Sequence, residues 1–178
     1  DGKRLYTIDW AGKLVAYDTT TKEALLDKTL SSGGAEVAIS PDGKQLAIAA
    51  GKNSVLVVDA VTGEEQFTAF GHTGGVRSVF YSRDSQVIAS ASADKTVRLW
   101  SAKDGAPLMT LEGHTAQTNS IAFLPDGRVV TSADDSTVRI WSPKTGAELI
   151  ETTLSEYSIN RVAVSPDGTR IAAGGERV

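Results

Sequence analysis

The chain contains no cysteine, which excludes a disulfide framework, a thiolate metal site and a thiol nucleophile, and leaves the redox compartment unread. Histidine is almost as scarce: His72 and His114 are the only two, 42 positions apart and without zinc spacing. Basic excess is missing too. Asp and Glu number 22 against 18 Lys and Arg, a net charge of −4, so no phosphate-seeking field exists and nucleic acid is not an expected partner. The longest apolar runs, such as Val55 to Val58, fall far short of the ~20 residues that cross a bilayer, so no membrane partner is expected either. The start does not resemble a secretion signal. No GxxxxGK[ST], GxGxxG or N-x-[ST] pattern occurs, and no Asp-Gly turn is followed by the alternating acidic run of a calcium loop. No metal and no cofactor are expected. The first residue is not Met, and the expectation is a stretch of a longer chain.

What the chain does have is a period. Ser40-Pro41-Asp42-Gly43, Ser82-Arg83-Asp84-Ser85, Leu124-Pro125-Asp126-Gly127 and Ser165-Pro166-Asp167-Gly168 are one turn signal repeated at spacings of 42, 42 and 41. Short β-branched runs flank each copy, among them Val37-Ala38-Ile39 before the first turn and Leu46-Ala47-Ile48 after it. Runs of this kind every ~8–12 residues, separated by Gly, Pro, Asp and Ser, predict all-β structure. No helical stripe of useful length is present. Four strands per ~42 residues is the arithmetic of a propeller blade.

Two units are richer than the rest. One runs from Gly71-His72-Thr73 through Ser90 and Asp94 to Thr96-Val97-Arg98-Leu99-Trp100, the other from Gly113-His114-Thr115 through Thr131 and Asp135 to Thr137-Val138-Arg139-Ile140-Trp141. On these motifs the chain resembles the WD40-repeat β-propellers. The residue after each Trp is Ser101 or Ser142, where the family usually has Asp. The resemblance implies a hydrogen-bonded tetrad in each unit: His72, Ser90, Asp94 and Trp100, then His114, Thr131, Asp135 and Trp141. The hydroxyl is assigned four residues before Asp because the alternative, two before, is Ser92 in one unit and Ala133 in the other. Buried unpaired, an indole N–H or an imidazole would cost ~1–3 kcal/mol, so the set reads as internal bracing.

A His-Asp-Ser set also invites a hydrolase reading. That chemistry needs an exposed nucleophile in a strained turn beside an oxyanion pocket. Here the hydroxyls fall within predicted strands beside a bulky Trp, and no catalytic residue is assigned.

Other units depart from the motif. Val58, Lys52 and Leu30 stand at the Trp, Asp and His positions of the second unit, Tyr17 and Ala11 at those of Trp and Asp in the first, and Ser155 at that of His in the last. Apolar packing between sheets is expected to hold these blades. Arg98 and Arg139 are expected to snorkel along neighbouring strands.

The inventory is 17 predicted strands, about 4.2 blades: a partial blade at 1–34, blades at 35–75, 76–117 and 118–158, and a partial blade at 159–178. A closed four-blade ring would leave one strand redundant, and seven blades would need about 290 residues. The expected fold is therefore an all-β propeller of four-stranded antiparallel blades within a larger propeller of seven or more. Its partners would be other proteins, missing blades of the same parent chain, or further copies of itself. The resemblance implies a non-catalytic protein–protein interaction scaffold in a larger signalling or assembly protein, with a small-molecule sensor or a propeller-based hydrolase as the alternatives. Arg77, Gln117, Asn119, Asp134 and Asn160 are the expected exposed partner-binding positions, on the face carrying the His loops and Asp turns.

Overall fold

A computed structural model describes residues 2–51, 53–154 and 156–175. Seventeen strands are present among them, joined as five antiparallel meanders in which each strand pairs with its neighbour in sequence. The first sheet has three strands, β1 (Arg4–Ile8), β2 (Lys13–Asp18) and β3 (Ala24–Thr29). Three four-stranded sheets follow. They are β4 (Gly34–Ile39), β5 (Gln45–Ala50), β6 (Ser54–Asp59) and β7 (Glu65–Phe70); β8 (Val76–Tyr81), β9 (Val87–Ser92), β10 (Val97–Ser101) and β11 (Pro107–Leu111); then β12 (Thr118–Phe123), β13 (Val129–Ala133), β14 (Thr137–Trp141) and β15 (Glu148–Thr153). The last sheet pairs β16 (Ile159–Val164) with β17 (Ile171–Gly175). The first and last sheets share no strand.

Strand periodicity builds the core. Successive side chains point to opposite faces, so Val55 and Val57 of β6 pack toward the third sheet while Leu56 and Val58 pack toward the first. Central strands are thus covered on both sides: every residue of β13 and β14 is buried. Four apolar slabs fill the gaps between successive sheets. The first joins Leu14 to Leu46 and Val58, the second Val57 to Trp100, the third Leu99 to Trp141, and the fourth Val130 to Val162. Val58, fully buried, takes the Trp position in the first slab, so this blade packs apolar against its neighbour.

The turn and bulge pattern repeats with the period. Ser40, Ser82 and Ser165 each donate from Oγ to the Asp two residues on, at 2.6–2.7 Å, and each Oγ accepts the N–H five residues on, at or just before the start of the next strand. Gly43, Gly127 and Gly168 close these turns at φ of +72° to +89°, a region open to glycine at no steric cost; Ser85 adopts φ +60° in the third sheet. A register shift falls at the Trp position of every complete sheet, at Val57/Val58, Leu99/Trp100 and Ile140/Trp141. It twists the third strand locally and aims that side chain inward.

Strands β4, β8, β12 and β16, each the first of its sheet, stand side by side in one row. The Val79 N–H donates to Glu36 at 3.0 Å, and two repeats later the Val162 N–H donates to Ser120 at 3.3 Å. Arg161 reaches across to Glu36 at 2.6 Å, and Arg83 to the Pro166 carbonyl at 2.8 Å, so the fifth sheet is tied back to the second and third. Strands β15 and β17 are exposed along their whole length.

Candidate functional site

The two full-motif units place their polar residues alike. His72 lies on the loop entering the third sheet; its Nδ1–H donates to Asp94 Oδ2 at 2.8 Å and its Nε2 accepts from Ser90 Oγ at 2.8 Å. The Trp100 indole N–H donates to the same Ser90 Oγ at 2.8 Å. In the fourth sheet the corresponding distances are 2.8 Å from His114 to Asp135, 2.7 Å to Thr131, and 2.8 Å from Trp141 to Thr131. Each chain of bonds runs in one direction, indole to hydroxyl to imidazole to carboxylate. That order requires a neutral imidazole carrying its proton on Nδ1. Ser90 and Thr131 have no exposure at all, so neither hydroxyl can meet a substrate carbonyl. Among the described residues no three His, Cys, Asp or Glu gather as a metal site.

The electrostatics agree with a neutral ring. Burial pushes the pKa of His72 and His114 below the ordinary value of 6.5, opposed by the hydrogen-bonded Asp94 and Asp135. For the carboxylates, burial acts upward, but hydrogen bonds from Thr96, Thr73 and His72 outweigh it and hold Asp94 well below the usual range. Thr137, His114 and Thr115 do the same for Asp135.

Two members of the network escaped the sequence reading. Thr96 and Thr137 donate to the tetrad carboxylates at 2.7 and 2.6 Å and lie 3.4 and 3.3 Å from the imidazole Nδ1. Their signal was the recurring Thr-Val-Arg run. The glycine before each His also has a steric reason. A Cβ on Gly71 would sit 2.7 Å from Arg98 Nη1 and 3.1 Å from Trp100, and one on Gly113 would sit 2.9 Å from Arg139 Nη1 and 3.0 Å from Trp141.

The arginines behave differently from the expected snorkelling. Arg139 is buried and ion-paired, to Glu148, to Glu151 at 3.2 Å and to Asp135 at 3.9 Å. Arg98 has Pro107 and Thr110 at the places of those two glutamates, and its buried Nε has no partner. Its guanidinium instead lies 5.9 Å from the Trp100 ring centroid.

Of the expected partner-binding positions, Arg77 and Asp134 are exposed, whereas Gln117, Asn119 and Asn160 are half-buried. Gln117 and Asn119 are drawn together with the two exposed residues by mutual hydrogen bonding. Arg77 donates to Gln117 at 3.0 Å, Gln117 to Asn119 at 2.8 Å, and Asn119 to Asp134 at 2.6 Å and to the Ile159 carbonyl at 3.3 Å. Four of the five positions thus form one row running from β8 to the β13–β14 turn; Asn160 stands outside it. Lys52 and Ser155 lie outside the described residues.

In the second unit the loop is held another way. The Ser31 N–H, equivalent to the Thr73 and Thr115 amides that bind the tetrad Asp, donates to Glu65, and Ser31 Oγ donates to the same carboxylate at 2.8 Å.

Residues 63–101 and 105–142, the segments holding the two tetrads, match the family model described as WD domain, G-beta repeat. No curated protein matches the sequence. Among solved structures, the crystal structure of the WD40 beta propeller domain of Doa1 superposes on 98% of this chain with a TM-score of 0.85 at 23% identity, and the chain spans 58% of that structure's length. The fold is a β-propeller arrangement of four-stranded blades. Its third and fourth sheets match the WD40-repeat model and carry the complete motif, and the fold of the chain is similar to that of a WD40 propeller domain.

Proposed function

We propose that the chain is a non-catalytic scaffold for protein–protein interaction, the WD40 propeller portion of a larger signalling or assembly protein. A WD40 propeller fits such a role in general. The observation that carries the reading is the row Arg77, Gln117, Asn119 and Asp134. It presents a fixed set of donors and acceptors at the ends of two adjacent blades, ordered before any partner arrives. Such preorganisation lowers the entropy lost on docking. Arg and amide side chains anchored this way suit a protein interface. Asn160 would extend the surface onto the fifth unit. The blades proposed as its supports are residues 35–75, 76–117 and 118–158, with 1–34 and 159–178 as partial blades.

The test is affinity capture with the purified chain as bait, comparing it with an Arg77→Ala/Asn119→Ala variant whose melting temperature is matched. Loss of a defined subset of captured proteins is the expected result. An unchanged set from a folded variant would remove this surface from the reading.

A further inference from the structure

The third and fourth sheets carry the same arginine in different company. Arg98 and Arg139 hold one position of the repeat, two residues before Trp100 and Trp141. Both lie in the third strand of their sheet, and both set Nη1 against the glycine that precedes the histidine. Across the strand pair, however, Arg139 faces Glu151 and Arg98 faces Thr110. Glu148 likewise stands where the third sheet has Pro107, at the partner position of the Trp. Arg139 is consequently ion-paired to both glutamates, whereas no carboxylate pairs with Arg98 among the described residues.

The space those glutamates occupy is open to solution. Their side chains are 31% and 45% exposed in the fourth sheet. The corresponding ground in the third sheet belongs to the exposed Pro107 and the half-buried Thr110, both shorter. A carboxylate arriving from outside would reach the guanidinium by the approach that Glu148 and Glu151 use from within. Arg98 Nε is enclosed and unpartnered, so the acceptor must come to the Nη groups. Contact with the Trp100 ring, 5.9 Å from its centroid, consumes none of those donors. A guanidinium fork matches a carboxylate with two parallel bonds. Leu108, two residues before Thr110 and so on the same strand face, is 52% exposed. A cation with an apolar ledge beside it suits a polypeptide segment better than a bare inorganic anion.

We propose that Arg98 receives the carboxylate of a glutamate or aspartate in a polypeptide partner, supplying in trans the acid that the fourth sheet carries in cis. The proposal rests on the scaffold reading for the nature of the partner, but Arg98 is no member of the Arg77 row, so each can fail alone. The test is a titration of the ¹⁵N-labelled chain with N-acetyl-leucyl-glutamate α-amide. The glutamine analogue and inorganic phosphate serve as the neutral and bare-anion controls. Saturable shifts at the Arg98 Nε–H and at the Gly71 and Thr110 amides are expected with the glutamate compound alone. Affinity should fall about tenfold in Arg98→Gln. Pro107→Glu/Thr110→Glu, which copies the fourth sheet, should abolish the shifts by pairing the guanidinium internally, and it decides the matter if Arg98→Gln does not fold. Arg77→Ala should titrate like the wild type. Equal shifts from the glutamine analogue or from phosphate, no shifts from any compound, undiminished binding in Pro107→Glu/Thr110→Glu, or loss of the shifts in Arg77→Ala would overturn the assignment.

Discussion

A tryptophan, a hydroxyl, a histidine and an aspartate spread over 29 residues become one structural unit because each satisfies the next inside an interior that tolerates no orphan. Its dependence on pH has a definite sign. Burial lowers the folded pKa of both imidazoles below 6.5, so between the two values the unfolded chain binds more protons. Their contribution to stability is complete above about pH 6.5 and drains away as pH falls from there through the folded pKa. The melting temperature should therefore decline between pH 7.5 and pH 5, and a His72→Gln/His114→Gln variant should show a shallower slope over that window. A wild-type melting temperature constant across the window would show that the imidazoles are not held neutral. The tetrad carboxylates, with lowered pKa values, act separately and only in stronger acid, below their ordinary 3.8.

At the level of strands and turns, most of the architecture was legible in the sequence. The Ser-Pro-Asp-Gly spacing gave the period, and β-branched runs gave the strands, because both follow from local backbone preference. Side-chain reach was not legible. Whether Arg139 snorkels or pairs depends on Glu148 and Glu151 arriving opposite it through a bulged register, and a linear reading does not fix that register. The same limit hid the row from Arg77 to Asp134: those residues were singled out as separate exposed positions, and only adjacent inner strands bring them into hydrogen-bond contact. The tight turn between the second and third strands leads to a further prediction. It needs a left-handed residue, met by Gly12 (φ 87°) at the equivalent β1–β2 turn of the three-stranded first sheet but by Lys95 (φ 74°) and Ser136 (φ 66°) in the third and fourth. Replacing Lys95 with Gly should relieve that strain and stabilise the protein by about 0.5–1 kcal/mol, read as a higher denaturant midpoint at unchanged slope.

For the molecule as a whole, the uncovered surfaces decide behaviour. Leu149, Ile150, Leu154, Tyr157 and Ile171 are all exposed across the fourth and fifth sheets, beside an edge of β17 that pairs with no strand among the described residues. Apolar faces next to free strand edges associate. Sedimentation equilibrium at micromolar concentrations should show species heavier than the 18.7 kDa monomer, and an Ile150→Lys/Leu154→Lys variant should shift the distribution toward it. A monodisperse wild-type monomer would refute this. The sequence-local meander has a consequence for assembly as well. Every ribbon finds its partner within a short stretch of chain, so successive wedges can form in order as the polypeptide leaves the ribosome. Arg161 meets Glu36 across 125 positions, so that bond forms only after the fifth sheet has followed the second.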